Sequence, residues 1–125
     1  MNYLCLVYIE ETALNAMPKG EFEAFSDEHV ALDEELRRSG HSIAAEALQP
    51  VHTATTVRVR NGSLFVTDGP FAETKEQLLG IYLIDAEDRN DAIQVASRIP
   101  AARVGSIEIR PVWDLRRHEP RAQGK

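Results

Sequence analysis

The stretch that most constrains this chain runs from Leu64 to Leu83. Two apolar strands flank a segment reading Thr67-Asp68-Gly69-Pro70-Phe71-Ala72-Glu73-Thr74-Lys75-Glu76-Gln77-Leu78. Pro70 fixes its own φ and keeps most preceding residues out of the helical region, whereas Gly69 tolerates almost any backbone angle. The pair therefore makes a sharp, rigid bend that aims Asp68 and Phe71. Glu73, Lys75 and Glu76 follow at once, so a loop between two apolar strands presents several titratable groups close together.

The rest of the chain supplies the elements around this loop. Tyr3 to Ile9 is a continuous apolar and aromatic run, which suits a strand covered on both faces. Glu10 to Gly20 reads as a loop punctuated by Pro18 and Gly20. From Glu21 to Ser39 the residues Phe22, Phe25, His29, Leu32 and Leu36 recur at spacings of three and four, which predicts a long helix stopped by Gly40. Ile43 to Leu48 is a short apolar stretch ended by Pro50. Val57 and Val59 alternate with Thr56, Arg58 and Arg60, and Asn61-Gly62 is preferred type I′ chemistry, so Thr56–Arg60 and Ser63–Thr67 form a hairpin. Leu79 to Ile84 is another strand. Asp88 caps a second helix whose stripe is Ala92, Ile93, Ala96 and Ile99, up to Pro100. Ser106 to Arg110 is the last strand.

This order of strand, helix, hairpin strands, strand, helix and strand implies a single α+β domain over residues 1–113. Its architecture is an open ferredoxin-like βαββαβ antiparallel sheet with both helices on one face. Residues 114–125, charged and aperiodic, are expected to form a disordered tail. The strands are apolar on both sides, so the bare face would expose more than a monomer tolerates, and a homodimer packed sheet against sheet would cover it.

Several function classes lose support. A formal net charge of −6 argues against direct nucleic-acid binding. Cys5 is the single cysteine, which rules out an internal disulfide and fits a reducing cytoplasm. No basic region precedes the short apolar opening and no window is long enough to cross a bilayer, so neither a leader nor a membrane partner is expected. His41, His52 and His118 lack metal-ligand spacing, Gly-rich phosphate loops are missing, and no Gly-x-Ser-x-Gly elbow occurs. No metal or cofactor is expected.

His29 is the most informative single residue, because an imidazole in the core-facing stripe of a helix needs a hydrogen-bond partner. Asp33, one turn later, would make a purely structural pair. Asp68 would instead make His29 a general base oriented by an acid. Asp68-Gly69-Pro70 is also ordinary turn chemistry, yet Gly69, Pro70, Phe71, Glu73, Lys75 and Glu76 supply more groups than a turn requires and form the candidate ligand-binding loop. Arg58, Arg60, Arg103 and Arg110 are either solvated surface or anchors for an anion.

The segment Val66 to Leu78 closely resembles the signature of DGPF-domain proteins, a branch of the YCII-related (YciI-like) family. The resemblance extends over the opening strand, Leu48-Gln49-Pro50, Thr53 to Arg58, Pro100 to Arg103 and Ile109 to Val112. Two positions depart from the family pattern of Leu-Gly-Gly-Phe-Tyr: Leu79 stands for the first glycine and Ile81 for the aromatic. The resemblance implies a dimeric α+β barrel and a cleft holding a His-Asp pair, with the histidine on the first helix; His29 looks like the matching position, and Asp68 or another motif carboxylate would be its acid. It also implies a small organic ligand handled by acid/base elimination or isomerisation, as in a dehydrochlorinase relative. The alternative it offers is a non-catalytic regulatory or accessory protein linked to an extracytoplasmic-function sigma factor.

Overall fold

The opening apolar run does form a strand, β1 (Asn2–Ile9), and its side chains divide by parity. Tyr3, Cys5, Val7 and Ile9 are buried on one face, while Leu4, Leu6 and Tyr8 are half-buried on the other. The computed structural model describes residues 1–122. Where a loop was expected, a short helix α1 (Glu11–Asn15) appears before Pro18, followed by the long helix α2 (Lys19–Arg38). Phe25, Leu32 and Leu36 of the expected stripe are buried; Phe22, one turn earlier, is 43% exposed.

The next elements are β2 (Ser42–Ala47), β3 (Thr55–Arg60), β4 (Ser63–Asp68), β5 (Gln77–Asp85), α3 (Arg89–Ser97) and β6 (Ser106–Pro111). Four strands form one antiparallel sheet in the order β2-β5-β1-β6, which is the ferredoxin-like βαββαβ arrangement. The strand between the first helix and the central β5 is β2, from the stretch with the weaker sequence signal. The well-signed hairpin β3-β4 stands outside as its own two-stranded sheet. Its turn is as the sequence predicts, with Asn61 at φ 50° and Gly62 at φ 76°.

The two long helices cover the same face. Phe25, Leu32 and Leu36 of α2, and Ala92, Val95 and Ala96 of α3, share one cluster with Tyr3, Cys5, Val7, Tyr82 and Ile84. Asp88 caps α3 by accepting from the Asp91 backbone N–H at 2.9 Å. Residues of the opposite face line up in rows across the strands. Ala44, Leu83, Leu4 and Arg110 form one row, and Glu46, Ile81, Leu6 and Glu108 the next. Neither long helix contributes a buried residue to this face, whose apolar centre has a charged rim.

In the tail, Leu115–Arg117 makes a 3-10 turn capped by Asp114. The Trp113 indole donates to the Glu119 carbonyl at 2.8 Å, and the Arg121 guanidinium lies 5.6 Å from the Trp113 ring centroid. The expected disordered segment extends to residues 123–125, which lie outside the described residues. No helix of the described residues is long and apolar enough to cross a membrane.

Candidate functional site

Local bonding holds the motif loop. Gly69 adopts φ 94°, a conformation that favours glycine, and its N–H donates to the Ala54 carbonyl at 2.7 Å. The Thr56 hydroxyl returns a bond to the Gly69 carbonyl at 2.8 Å, closing the base of the hairpin. Further on, the Thr74 hydroxyl donates to the Glu76 carbonyl at 2.6 Å, and the Gln77 amide donates to the Thr74 carbonyl at 2.6 Å. The Gln77 side-chain oxygen accepts from the Glu11 N–H at 2.8 Å, and Glu76 Oε1 accepts from the Ser106 hydroxyl at 2.8 Å. These last two bonds fasten the loop to the start of α1 and the start of β6.

Within this frame Asp68, Pro70, Phe71, Glu73 and Lys75 are exposed, Phe71 to 79%. Glu76 is the acid of the group that the fold uses. Among the described residues, the side chains of Asp68, Glu73 and Lys75 take part in no ion pair or hydrogen bond. The loop is thus fixed at both ends while its charged groups face water.

His29 is placed differently. Its Nδ1 lies 2.8 Å from the Phe25 carbonyl, which can only accept, so Nδ1 carries the proton. Nε2 then accepts from the Ala101 N–H at 3.2 Å. Both ring nitrogens are spent on backbone, and only the neutral imidazole satisfies both bonds. Burial lowers the His29 pKa, which the Phe25 carbonyl and Glu28 partly offset. The ring also stands edge-on to Phe25, with centroids 4.7 Å apart. No hydrogen bond joins His29 to Asp68 or to Asp33. Asp33 instead accepts from Arg37 Nε at 2.8 Å and from the Ser42 hydroxyl at 2.6 Å, tying α2 to β2. Arg103 pairs with Glu28 at 2.9 Å and Arg110 with Glu108 at 3.4 Å, so both are engaged within the chain.

A second polar cluster lies where α2 ends and α3 begins. The Ser39 hydroxyl is 2.8 Å from His41 Nδ1, and His41 Nε2 is 3.2 Å from Asp91 Oδ2, beside a cavity of about 430 Å³. These are the three groups of a nucleophile relay, but the N–H groups of Ser39, Gly40 and His41 are already donated to Glu35, Arg37 and Leu36 carbonyls. They offer no oxyanion hole. The Asp91 carboxylate also accepts from the Glu87 N–H at 3.0 Å, the main cause of its lowered pKa. The cluster works as a clasp between the two helices. Sequence reading missed it because fifty positions separate His41 from Asp91; Asp91 in the first turn of a capped helix was its one legible sign.

The sequence matches the family model described as the YCII-related domain over residues 1–116. The chain belongs to the YCII-related family. An uncharacterised protein of Rhizobium meliloti (strain 1021) is 38% identical over 114 residues, covering 90% of this chain and 92% of that protein. Leu79 and Ile81, the two positions expected to depart from the motif pattern, both fall in β5. Between Val7 and Tyr8 the β1–β5 register slips by one residue, and Leu79 is the extra residue, a bulge whose side chain packs against the core. Gly80 sits where β2 approaches closely, because a Cβ there would stand 3.1 Å from the Glu46 carbonyl oxygen. Ile81, in place of the aromatic, sits on the open sheet face between Glu46 and Leu6.

Proposed function

We propose that this YCII-related protein is a homodimeric small-molecule-binding protein. Two copies pack open sheet face on open sheet face into an α+β barrel, and the Asp68–Glu76 loop forms the ligand cleft. The observation that carries the reading is the contrast between the loop and His29. Asp68, Glu73, Lys75 and Phe71 stand in water on a loop anchored at both ends, whereas the imidazole is committed to Phe25 and Ala101. Pre-set, unspent polar groups beside an aromatic ring favour recognition of a small organic molecule. Proton transfer by His29 would first require it to release a backbone partner, so binding is the better-supported role.

The test is a thermal-shift panel of small organic acids, amines and alcohols against the full chain and two variants. A true ligand at a hundredfold excess over Kd adds about 2.7 kcal/mol of stability. That shift should persist in His29→Gln and vanish in Asp68→Asn. A compound chemically converted by the wild type but only bound by His29→Gln would reinstate acid/base catalysis and overturn the binding reading.

A further inference from the structure

The apolar layer between the helices and the sheet is incomplete at one edge. β6 is the outermost strand on its side, and its alternate residues Ile107, Ile109 and Pro111 face the helices beside Val7, Cys5 and Tyr3 of β1. α3 stands over this edge and turns Arg89 and Ile93 toward it, four residues apart and hence on one helix face. A slot of about 360 Å³ remains between the two elements, lined by Tyr3, Arg89, Ile93, Ile107, Ile109 and Pro111. Ile93 belongs to the apolar stripe read from the sequence, yet it is 40% exposed, and Val95 takes a buried place instead. Ile107 and Ile109 are only half-buried. The edge thus keeps an apolar concavity that the chain itself does not fill.

We propose that this slot binds a small monocarboxylic acid with an aliphatic or aromatic body, its carboxylate on Arg89 and its body against Ile93, Ile107 and Ile109. The slot lies on the helix side of the sheet, so it is separate from the Asp68–Glu76 loop and from the open sheet face, and neither reading depends on the other. Charge is the first argument. Arg89 is the one charged group among the lining residues. Its guanidinium makes no ion pair or hydrogen bond among the described residues. Glu108 and Arg110 alternate to the opposite face of β6. Glu87 and Asp91 line the other cavity, beside His41, and Asp88 is spent on the cap of α3. A carboxylate entering the slot therefore meets an unspent guanidinium fork, from which both of its oxygens can accept. With Glu87, Asp88 and Asp91 all within two positions of Arg89, a singly charged carboxylate suits the site better than a doubly charged phosphate.

Size and polarity are the second argument. At roughly 30 Å³ for each water-sized group, a volume of about 360 Å³ holds roughly a dozen non-hydrogen atoms, which matches octanoate or phenylpropanoate. A mostly apolar lining with very few polar groups is the usual composition of a small-molecule site. Beyond Arg89 the polar side chain of the slot is Tyr3, 4% exposed, whose hydroxyl reaches only the Met1 sulfur at 3.5 Å, a weak acceptor. Water among the isoleucines and Pro111 would find few partners, so an apolar body gains by displacing it.

An amide NMR titration of the full chain with sodium octanoate tests this. Octanol supplies the same body without the charge, and acetate the same charge without the body. The expected result is a saturable octanoate shift of amides in residues 89–93 and 107–110, with octanol and acetate each weaker by roughly tenfold or more. Arg89→Gln changes an exposed side chain and leaves the core intact. It should weaken octanoate by roughly tenfold or more and leave octanol unchanged. Asp68→Asn should bind octanoate as the wild type does, whatever it does to a ligand of the loop. Octanol binding as tightly as octanoate, or unchanged octanoate binding in Arg89→Gln, would overturn the anion anchor and with it the proposal. Octanoate binding lost in Asp68→Asn but kept in Arg89→Gln would move the acid to the loop and leave the slot without a ligand. Shifts confined to the open sheet face or the hairpin would overturn the slot as well. So would the absence of any shift at about 10 mM octanoate, where a ligand of millimolar Kd already fills most sites.

Discussion

Replacing His29 by leucine measures what the imidazole does. The substitution keeps roughly the side-chain volume but removes a donor to the Phe25 carbonyl and an acceptor for the Ala101 N–H. Each such bond contributes about 0.5–1.5 kcal/mol net. Ala101 is fully buried, so its N–H cannot turn to water and the cost should lie near the upper end. We expect a loss of about 2–3 kcal/mol at pH 8, read as a lower urea midpoint by circular dichroism at fixed protein concentration. For a chain of this size that lowers Tm by roughly 8–12 °C. The pH dependence has a definite sign. Because burial lowers the folded-state pKa of His29 below its ordinary 6.5, the unfolded chain binds the extra proton first. The contribution of His29 is therefore complete above about pH 6.5 and is lost as pH falls toward the lowered value. The gap between wild type and His29→Leu should shrink between pH 7 and pH 5, with every other titrating group cancelling in the difference. A constant gap, or one that widens in acid, would refute the neutral, doubly bonded imidazole and return His29 to the list of free bases.

Gly105→Ala should be far more severe, since its Cβ would collide with the Tyr8 carbonyl oxygen and lie 3.2 Å from the Ile9 Cα. A loss of at least about 3 kcal/mol in urea unfolding is expected, and one below about 1 kcal/mol would show that β6 can slide on β1. Asp88→Ala removes the cap of α3 and should lower stability by about 1 kcal/mol, whereas Asp88→Ser should recover most of it. Cys5 is fully buried and its thiol is pushed up to about 11 by desolvation. It should resist iodoacetamide at pH 8 until the chain is unfolded in urea, and fast labelling of the native protein would contradict the buried placement.

What the sequence determined by itself was local chemistry. Asn61-Gly62 specifies its turn because few other residues accept two successive positive φ values, and Gly69 before Pro70 specifies its bend for a related reason. Asp88 announces the start of α3, and the three-and-four spacing of Phe25, His29, Leu32 and Leu36 announces the inward side of α2. The family motif could be read too, since its thirteen residues are contiguous. The tertiary structure decided which strands pair. Hydrophobic alternation in Thr55–Arg60 and Ser63–Asp68 is stronger than in Ser42–Ala47, yet β2 takes the sheet edge and the hairpin stands outside. Periodicity reports that a segment has an apolar face but not which surface will cover it. The same limit applies to the site. His29 is seventy-two positions from Ala101 and His41 fifty from Asp91, and no local pattern links groups that meet only when α2, α3 and the sheet have packed. Ring nitrogens and carboxylates take the nearest unsatisfied partner that packing leaves them, so their roles are set after the fold, not along the chain.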